Sequence, residues 1–255
     1  MAQDRLVEQW LQEEQAPFAG WDFSYLKGRM IEEQPPWSYM ERAATLMRGA
    51  ESVLDMDTGG GERLLDLRKY WPARVVATEG YPPNAVQAAE RLRPAGAAVV
   101  RAESSDNAQL PFAAGSFNLV LNRHSALNPA ECARVLTSGG TFLTKQVHGL
   151  WAQDLLAVFG ATPEWPDSTP ENYVPALQAS GLTITDVQDW QGELRFTDVG
   201  AVVYYLKAIP WLVPDFSVTS HLTQLLGLQA RLDAGETLTF EARTYLIEAH
   251  KRVST

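Results

Sequence analysis

The chain has 255 residues, 45% of them hydrophobic and 20% charged, and its 21 Lys and Arg against 31 Asp and Glu give a net charge of −10. That length can bury its own core, and the composition excludes wholesale disorder. The single cysteine, Cys132, excludes an internal disulfide and a cysteine zinc cluster, while the acidic balance argues against a nucleic-acid partner, which asks for a basic surface. Apolar stretches fall short of the ~20 residues that span a bilayer, so no membrane partner is expected. Residues 1–15 are polar and acidic rather than a signal sequence, which predicts a cytoplasmic protein.

Taken in chain order, residues 1–48 read as a helical, aromatic-rich cap or lid. Leu6, Val7, Trp10 and Leu11 recur at helical spacing, and a second helix is expected over 39–48 after Pro35-Pro36. From residue 49 strand and helix alternate. Strands are expected at 52–56, 74–78, 97–102, 117–122 and 140–146, and helices at 62–69, 82–93 and 129–136. Pro82 and Pro129 suit the first helical turn, and Asn128 suits an N-cap. Two helices flank the Pro-rich stretch around 162–170. A sixth strand is expected at 182–190, a helix capped by Asp198 through 206, an insertion at 208–236 with a helix over 217–232, and a last strand over 240–250. Alternating strands and helices predict an α/β fold with a parallel sheet covered on both faces. The organisation expected is one compact unit, a lid over 1–48 followed by a main domain over 49–255.

The strongest local signal is Val53-Leu54-Asp55-Met56-Asp57-Thr58-Gly59-Gly60-Gly61-Glu62, an apolar strand running into a glycine turn that opens a helix. Glycines permit left-handed backbone and close approach to a ligand, and the carboxyl edge of a parallel sheet is where nucleotides sit. Glu79 ends the next strand, where a carboxylate can accept from two ribose hydroxyls. The dinucleotide fingerprint asks for a third glycine where this chain has Leu64, which leaves a nicotinamide dehydrogenase a distant reading.

Four segments in order carry a resemblance: Asp55 with Gly59 and Gly61, Glu79, the run Asp106-Asn107-Ala108-Gln109-Leu110-Pro111-Phe112 with Ser116 to Val120 after it, and Arg134-Val135-Leu136-Thr137-Ser138-Gly139-Gly140. Together they resemble the class I S-adenosylmethionine-dependent methyltransferases, of the methyltransferase type 11 kind, over about residues 50–147. The resemblance implies a Rossmann-like, seven-stranded, mostly parallel sheet with helices on both faces, an antiparallel last strand, a helical N-terminal lid and a C-terminal insertion. It implies S-adenosylmethionine as cofactor. Asp55 would hold the cofactor's ammonium end, the backbone of Thr58, Gly59 and Gly61 its methionine moiety, and Glu79 its ribose. Gly80 and Tyr81 would flank the adenine, Asp106 and Asn107 would bond it, and Asn122 and Arg123 would lie beside the departing methyl. Two departures stand out: Asp57 occupies the place of the family's first glycine, and Asn118 replaces the aspartate of strand four.

Methyl transfer is a displacement that needs alignment and a dry site. A hydroxyl or ammonium acceptor must also lose a proton, and His124, just past strand four, is the first candidate base, with His148 second. Tyr25, Trp37, Tyr39, Tyr204 and Tyr205 form a candidate aromatic acceptor set that could equally be core. Cys132, inside a helix, reads as a buried structural thiol. No metal site is expected. The acidic charge favours a small-molecule acceptor. An RNA or protein methyltransferase, or a cofactor-binding protein without catalysis, are the competing readings, the last kept open by Asp57.

Overall fold

The computed structural model describes residues 2–18, 22–105, 107 and 109–253. The contacts group into two units: residues 1–35, 148–166 and 190–243, and residues 36–147, 167–189 and 244–255.

The first unit holds α1 (Ala2–Gln15), β1 (Met30–Glu32), α6 (Gln153–Val158), α8 (Val199–Ala208) and α9 (Leu222–Asp233). It also holds the 190–196 part of β7 (Leu182–Phe196) and the 238–243 part of β8 (Leu238–Lys251). β1 pairs antiparallel with β7, Met30 opposite Phe196. Asp198 caps α8 by accepting from the Ala201 N–H at 2.8 Å, as its position predicts. The α8 helix is apolar nearly all round and lies in the centre of a core with Trp10, Leu155, Phe196, Leu225 and Phe240. The α9 helix starts five residues later than expected. Ser217 and Ser220 bond each other's hydroxyls and the Ser220 N–H bonds the Ser217 hydroxyl, which offers the backbone a turn in place of a helix.

The second unit is built on strands β2 (Ser52–Met56), β3 (Arg74–Glu79), β4 (Ala98–Arg101), β5 (Phe117–Arg123) and β6 (Leu136–Val147), with the 182–189 part of β7 and the 244–251 part of β8. Their order is β7-β8-β6-β5-β2-β3-β4. The pairs from β6 through β4 are parallel, and β8 pairs antiparallel with β6. These are the seven strands read from the sequence, and β1 of the first unit is an eighth that the sequence reading did not separate from its loop.

Alternation within each strand makes two cores. Val53, Val75, Ala77, Leu119, Leu121 and Leu143 face α2 (Tyr39–Gly49), α3 (Glu62–Asp66) and α4 (Pro82–Leu92). Leu54, Met56, Val76, Val120 and Phe142 face α5 (Pro129–Val135) and α7 (Pro170–Ala179). Asn128 caps α5 through the N–H groups of Ala130 and Glu131. Cys132 is buried there beside Met56, and burial pushes its thiol up to about 12, so it is inert as the sequence predicts.

The chain returns from β4 to lay β5 on the other side of β2, so the strand order reverses between β2 and β5. Such a reversal opens a crevice outside the carboxyl ends of the strands. The segment leading into β5 is tied down by α5: Arg134 donates to the carbonyls of Phe112 and Leu110, and Glu131 both pairs with Arg134 and accepts from the Leu110 N–H at 2.7 Å. This is the physical reason for an arginine in that turn. Arg134→Ala strands a buried carboxylate and two carbonyls, and is expected to lower stability by about 2 kcal/mol in urea unfolding. Unchanged unfolding would show that water replaces the tie at no cost.

Candidate active site

The turn after β2 enters the crevice in three left-handed steps, Asp57 at φ 51°, Gly59 at φ 61° and Gly61 at φ 83°. Gly59 is the position where a side chain would meet nothing within 4 Å, so the backbone there borders open space. A Cβ on Gly61 would strike Leu92, so α4 can pack this close only against glycine. The turn is held from several sides. The Thr58 N–H donates to the Thr78 carbonyl at 2.9 Å, and Arg91 of α4 donates to the Gly60 carbonyl while pairing with Glu62.

Glu79, at the end of β3 and 5% exposed, is the clamp. One carboxylate oxygen accepts from the Gly59 N–H at 2.7 Å and the other from the Tyr81 N–H at 2.8 Å. Each oxygen keeps a second lone pair, the geometry needed to meet two vicinal hydroxyls. Gly80 beside it is a tight approach, since a Cβ would lie 2.9 Å from Glu103. Tyr81 follows with its ring 62% exposed, an open aromatic face next to the clamp.

Three acids converge on this turn. Burial raises Asp55 to about 6, against the pull of the Thr58 hydroxyl and of Arg123. Burial first, then Glu79 and Asp55, raise Asp57 to about 7, with Ser104 and Ser125 acting to lower it. Around them lie three buried hydroxyls: Thr58 Oγ1, which acts on Asp55, Ser104 Oγ, which acts on Asp57, and Tyr39 Oη, which has no hydrogen-bond partner among the described residues. An unpartnered phenol beside an open glycine turn and a cluster of acids fits a polar ligand that carries positive charge.

His124 follows β5 in a left-handed conformation, φ 56°, with its N–H bonded to the Lys145 carbonyl at 2.9 Å. The residue is exposed to solvent. Desolvation, then Arg123, Lys145 and Arg63, hold its pKa well below the usual histidine value, so the imidazole is neutral at pH 7.

Residues 54–144 match the Methyltransferase domain family. The chain carries a methyltransferase domain and is an enzyme that uses S-adenosylmethionine. Solved structures share its fold at low identity. The YcgJ protein of Bacillus subtilis is 18% identical, with 84% of this chain and 98% of that one covered and a TM-score of 0.59. An S-adenosylmethionine-dependent methyltransferase of Mesorhizobium loti is 16% identical, covering 83% and 95%, with a TM-score of 0.51. A protein of unknown function from Deinococcus radiodurans is 16% identical, covering 98% and 99%, with a TM-score of 0.58. No curated protein matches the sequence. The cofactor is S-adenosylmethionine, and the turn at Gly59, the Glu79 clamp and the unpartnered Tyr39 hydroxyl fit it.

The structure gathers Asp55, Asp57, Thr58, Gly59, Gly61, Glu79, Gly80 and Tyr81 at the crevice. Asn107 is exposed in the loop after β4, and Asp106 lies outside the described residues. Asn122 is corrected in its role. Its buried side chain accepts from Thr144 at 2.8 Å and Gln146 at 2.5 Å and donates to Ser125 at 2.7 Å, so it ties β5 to β6 and is spent before any ligand arrives. Arg123 sits beside it and acts on Asp55.

Tyr204 and Tyr205 are corrected too. They are 2% and 4% exposed in the core of the first unit. The Tyr204 hydroxyl donates to the Pro17 carbonyl, and the Tyr205 hydroxyl accepts from the Trp151 indole. Tyr25 stacks on Tyr204 with centroids 4.5 Å apart and is half exposed. His148 is buried, and its Nδ1 accepts from the Leu150 N–H at 3.0 Å, the work of a turn-former rather than of a base. Trp37 lies under the Lys145 ammonium, and Tyr39 reaches the Asp55 end of the crevice, where burial and then the Asp55 charge raise its phenol well above the usual value. Sequence reasoning missed Ser104 and Ser125, which no motif marks, and Arg91, whose partner is a carbonyl.

Proposed function

We propose that this enzyme transfers the methyl group to a small-molecule acceptor whose hydroxyl or amine gives up its proton to His124. The carrying observation is an accessible, neutral imidazole just past β5, beside the β2 turn that borders open space. When bound, S-adenosylmethionine supplies a sulfonium-activated methyl, and this chain aligns the groups and takes a proton. In this reading Glu79 would hold the ribose, Thr58 to Gly61 the methionine moiety and Tyr81 the adenine face. Asp55, beside the unpartnered Tyr39 hydroxyl, would hold the ammonium. The net charge of −10 favours a small acceptor over a polyanionic one.

The test is calorimetric titration with S-adenosylmethionine and with its demethylated product, NADH serving as control, followed by a panel of small hydroxyl and amine acceptors scored by release of the demethylated product. Micromolar binding and turnover with a panel member support the reading. Turnover only on RNA or protein substrates overturns the small-molecule assignment. Absence of binding overturns the whole reading.

A further inference from the structure

Resting on the cofactor assignment above, we propose that Asp57 makes the site selective for the methyl-bearing, sulfonium form of the cofactor over the neutral thioether left after transfer. The case begins with the backbone. At φ 51° Asp57 holds a conformation that glycine adopts without strain, so a side chain is kept there at a cost. Its N–H is bonded to the Thr78 hydroxyl at 3.3 Å, which fixes the residue at the mouth of the crevice.

The carboxyl is partly buried and stands among four elements. Asp55 acts on it from β2 and Glu79 from β3; Ser104 approaches from the loop after β4 and Ser125 from the loop after β5. The two charged groups acting on it are therefore both acids. The Arg123 cation at the end of β5 acts instead on Asp55 and Tyr39. Asp57 therefore stands between Glu79, the proposed ribose clamp, and Ser125, which adjoins the proposed base His124, and the sulfonium of a bound cofactor would lie between those two groups. Asp55, beside Tyr39 and Thr58, is left for the ammonium, which cofactor and product share.

A partly desolvated carboxylate crowded by two others has no counter-charge among the described residues that act on it. A cation at the reacting end supplies one, in surroundings where charge interactions are strong. Methyl transfer removes that positive charge from sulfur, and the same carboxylate then faces a neutral atom and loses its partner. The site thus grips the reactant and releases the product. Because burial, and then its acidic neighbours, keep Asp57 protonated to near neutral pH, the selectivity also rises with pH as the group ionises.

The experiment is calorimetry of the intact protein with S-adenosylmethionine and with the demethylated product at about pH 5.5 and about pH 7.5, comparing wild type with Asp57→Asn and Asp57→Gly. Wild type is expected to prefer the sulfonium form by about tenfold or more at the higher pH and less at the lower. Both variants are expected to bring the ratio near unity at both pH values. Glycine suits φ 51°, so the second variant covers any failure of the first to fold, which circular dichroism reports. If both ligands weaken equally, Asp57 holds the shared ammonium and the proposal is wrong. It is equally wrong if the ratio is unchanged in both variants. Absence of binding by wild type would instead overturn the cofactor assignment on which the proposal rests.

Discussion

Glu79→Ala is expected to weaken S-adenosylmethionine binding at least about 100-fold and to lower stability by about 3 kcal/mol. The carboxylate accepts from the Gly59 and Tyr81 N–H groups, one to each oxygen, in a position 5% exposed. Each charge-assisted bond is worth roughly 1.5–3 kcal/mol, and alanine leaves both donors unpaired in a site that water reaches poorly. The glycine turn then loses its tie to β3 and the ribose its acceptor. Glu79→Gln should fall between, because an amide can accept from one N–H but must present its own NH2 to the other. There is a second readout. Glu79 is, after burial, the largest influence raising Asp57, so the Asp57 carboxyl should titrate below about 7 in the alanine variant. Urea unfolding, calorimetry and a carboxyl NMR titration check the three parts. Wild-type affinity in a folded alanine variant would show that the ribose is held elsewhere.

The parts of the fold that the sequence made legible are those where one local rule acts alone. The β2 strand at 52–56 matches residue for residue, since five apolar-biased positions end at a glycine turn. Asn128 and Asp198 cap the helices they precede because a short side-chain oxygen there reaches the first free N–H groups. Glu79 and the glycines were legible because each side chain, or its lack, is aimed by the strand end that carries it. Asn122 misled for the opposite reason. Its partners, Thr144, Gln146 and Ser125, come from another strand and a loop, and nothing in its neighbours reveals that its amide is already bonded. Tyr204 and Tyr205 show the same limit: period 3.6 on an α8 helix apolar all round does not say which ring meets a ligand, and here Pro17 and Trp151 take both hydroxyls. The division into two units was hidden because residues 1–35, 148–166 and 190–243 meet only in space.

The catalytic step separates most sharply from the binding step at His124. His124→Asn is the informative change, because asparagine tolerates the left-handed backbone at φ 56° where alanine would strain the loop. It keeps a polar side chain of similar reach but cannot take up a proton. With a hydroxyl or amine acceptor, kcat is expected to fall about 10²–10⁴-fold, the usual worth of a general base, while the dissociation constant for S-adenosylmethionine stays within about twofold. The pH profile supplies the sign. Desolvation and the cations Arg123, Lys145 and Arg63 lower the imidazole pKa well below 6.5, so the base is already free at pH 7. Wild-type kcat at saturating substrate should therefore be flat across neutral pH with respect to this group and fall only on the acid side, well below pH 6.5. The same lowered pKa means that protonation favours the unfolded chain. The group's contribution to stability is full above the ordinary histidine value and is lost as pH falls toward the depressed one. Asp57, raised to about 7, ionises inside the neutral window, so a bend there belongs in cofactor affinity and kcat/KM rather than in kcat. Unchanged kcat in His124→Asn would mean that the acceptor arrives already deprotonated. A bend in kcat near pH 7 that persists in that variant would assign the proton to another group.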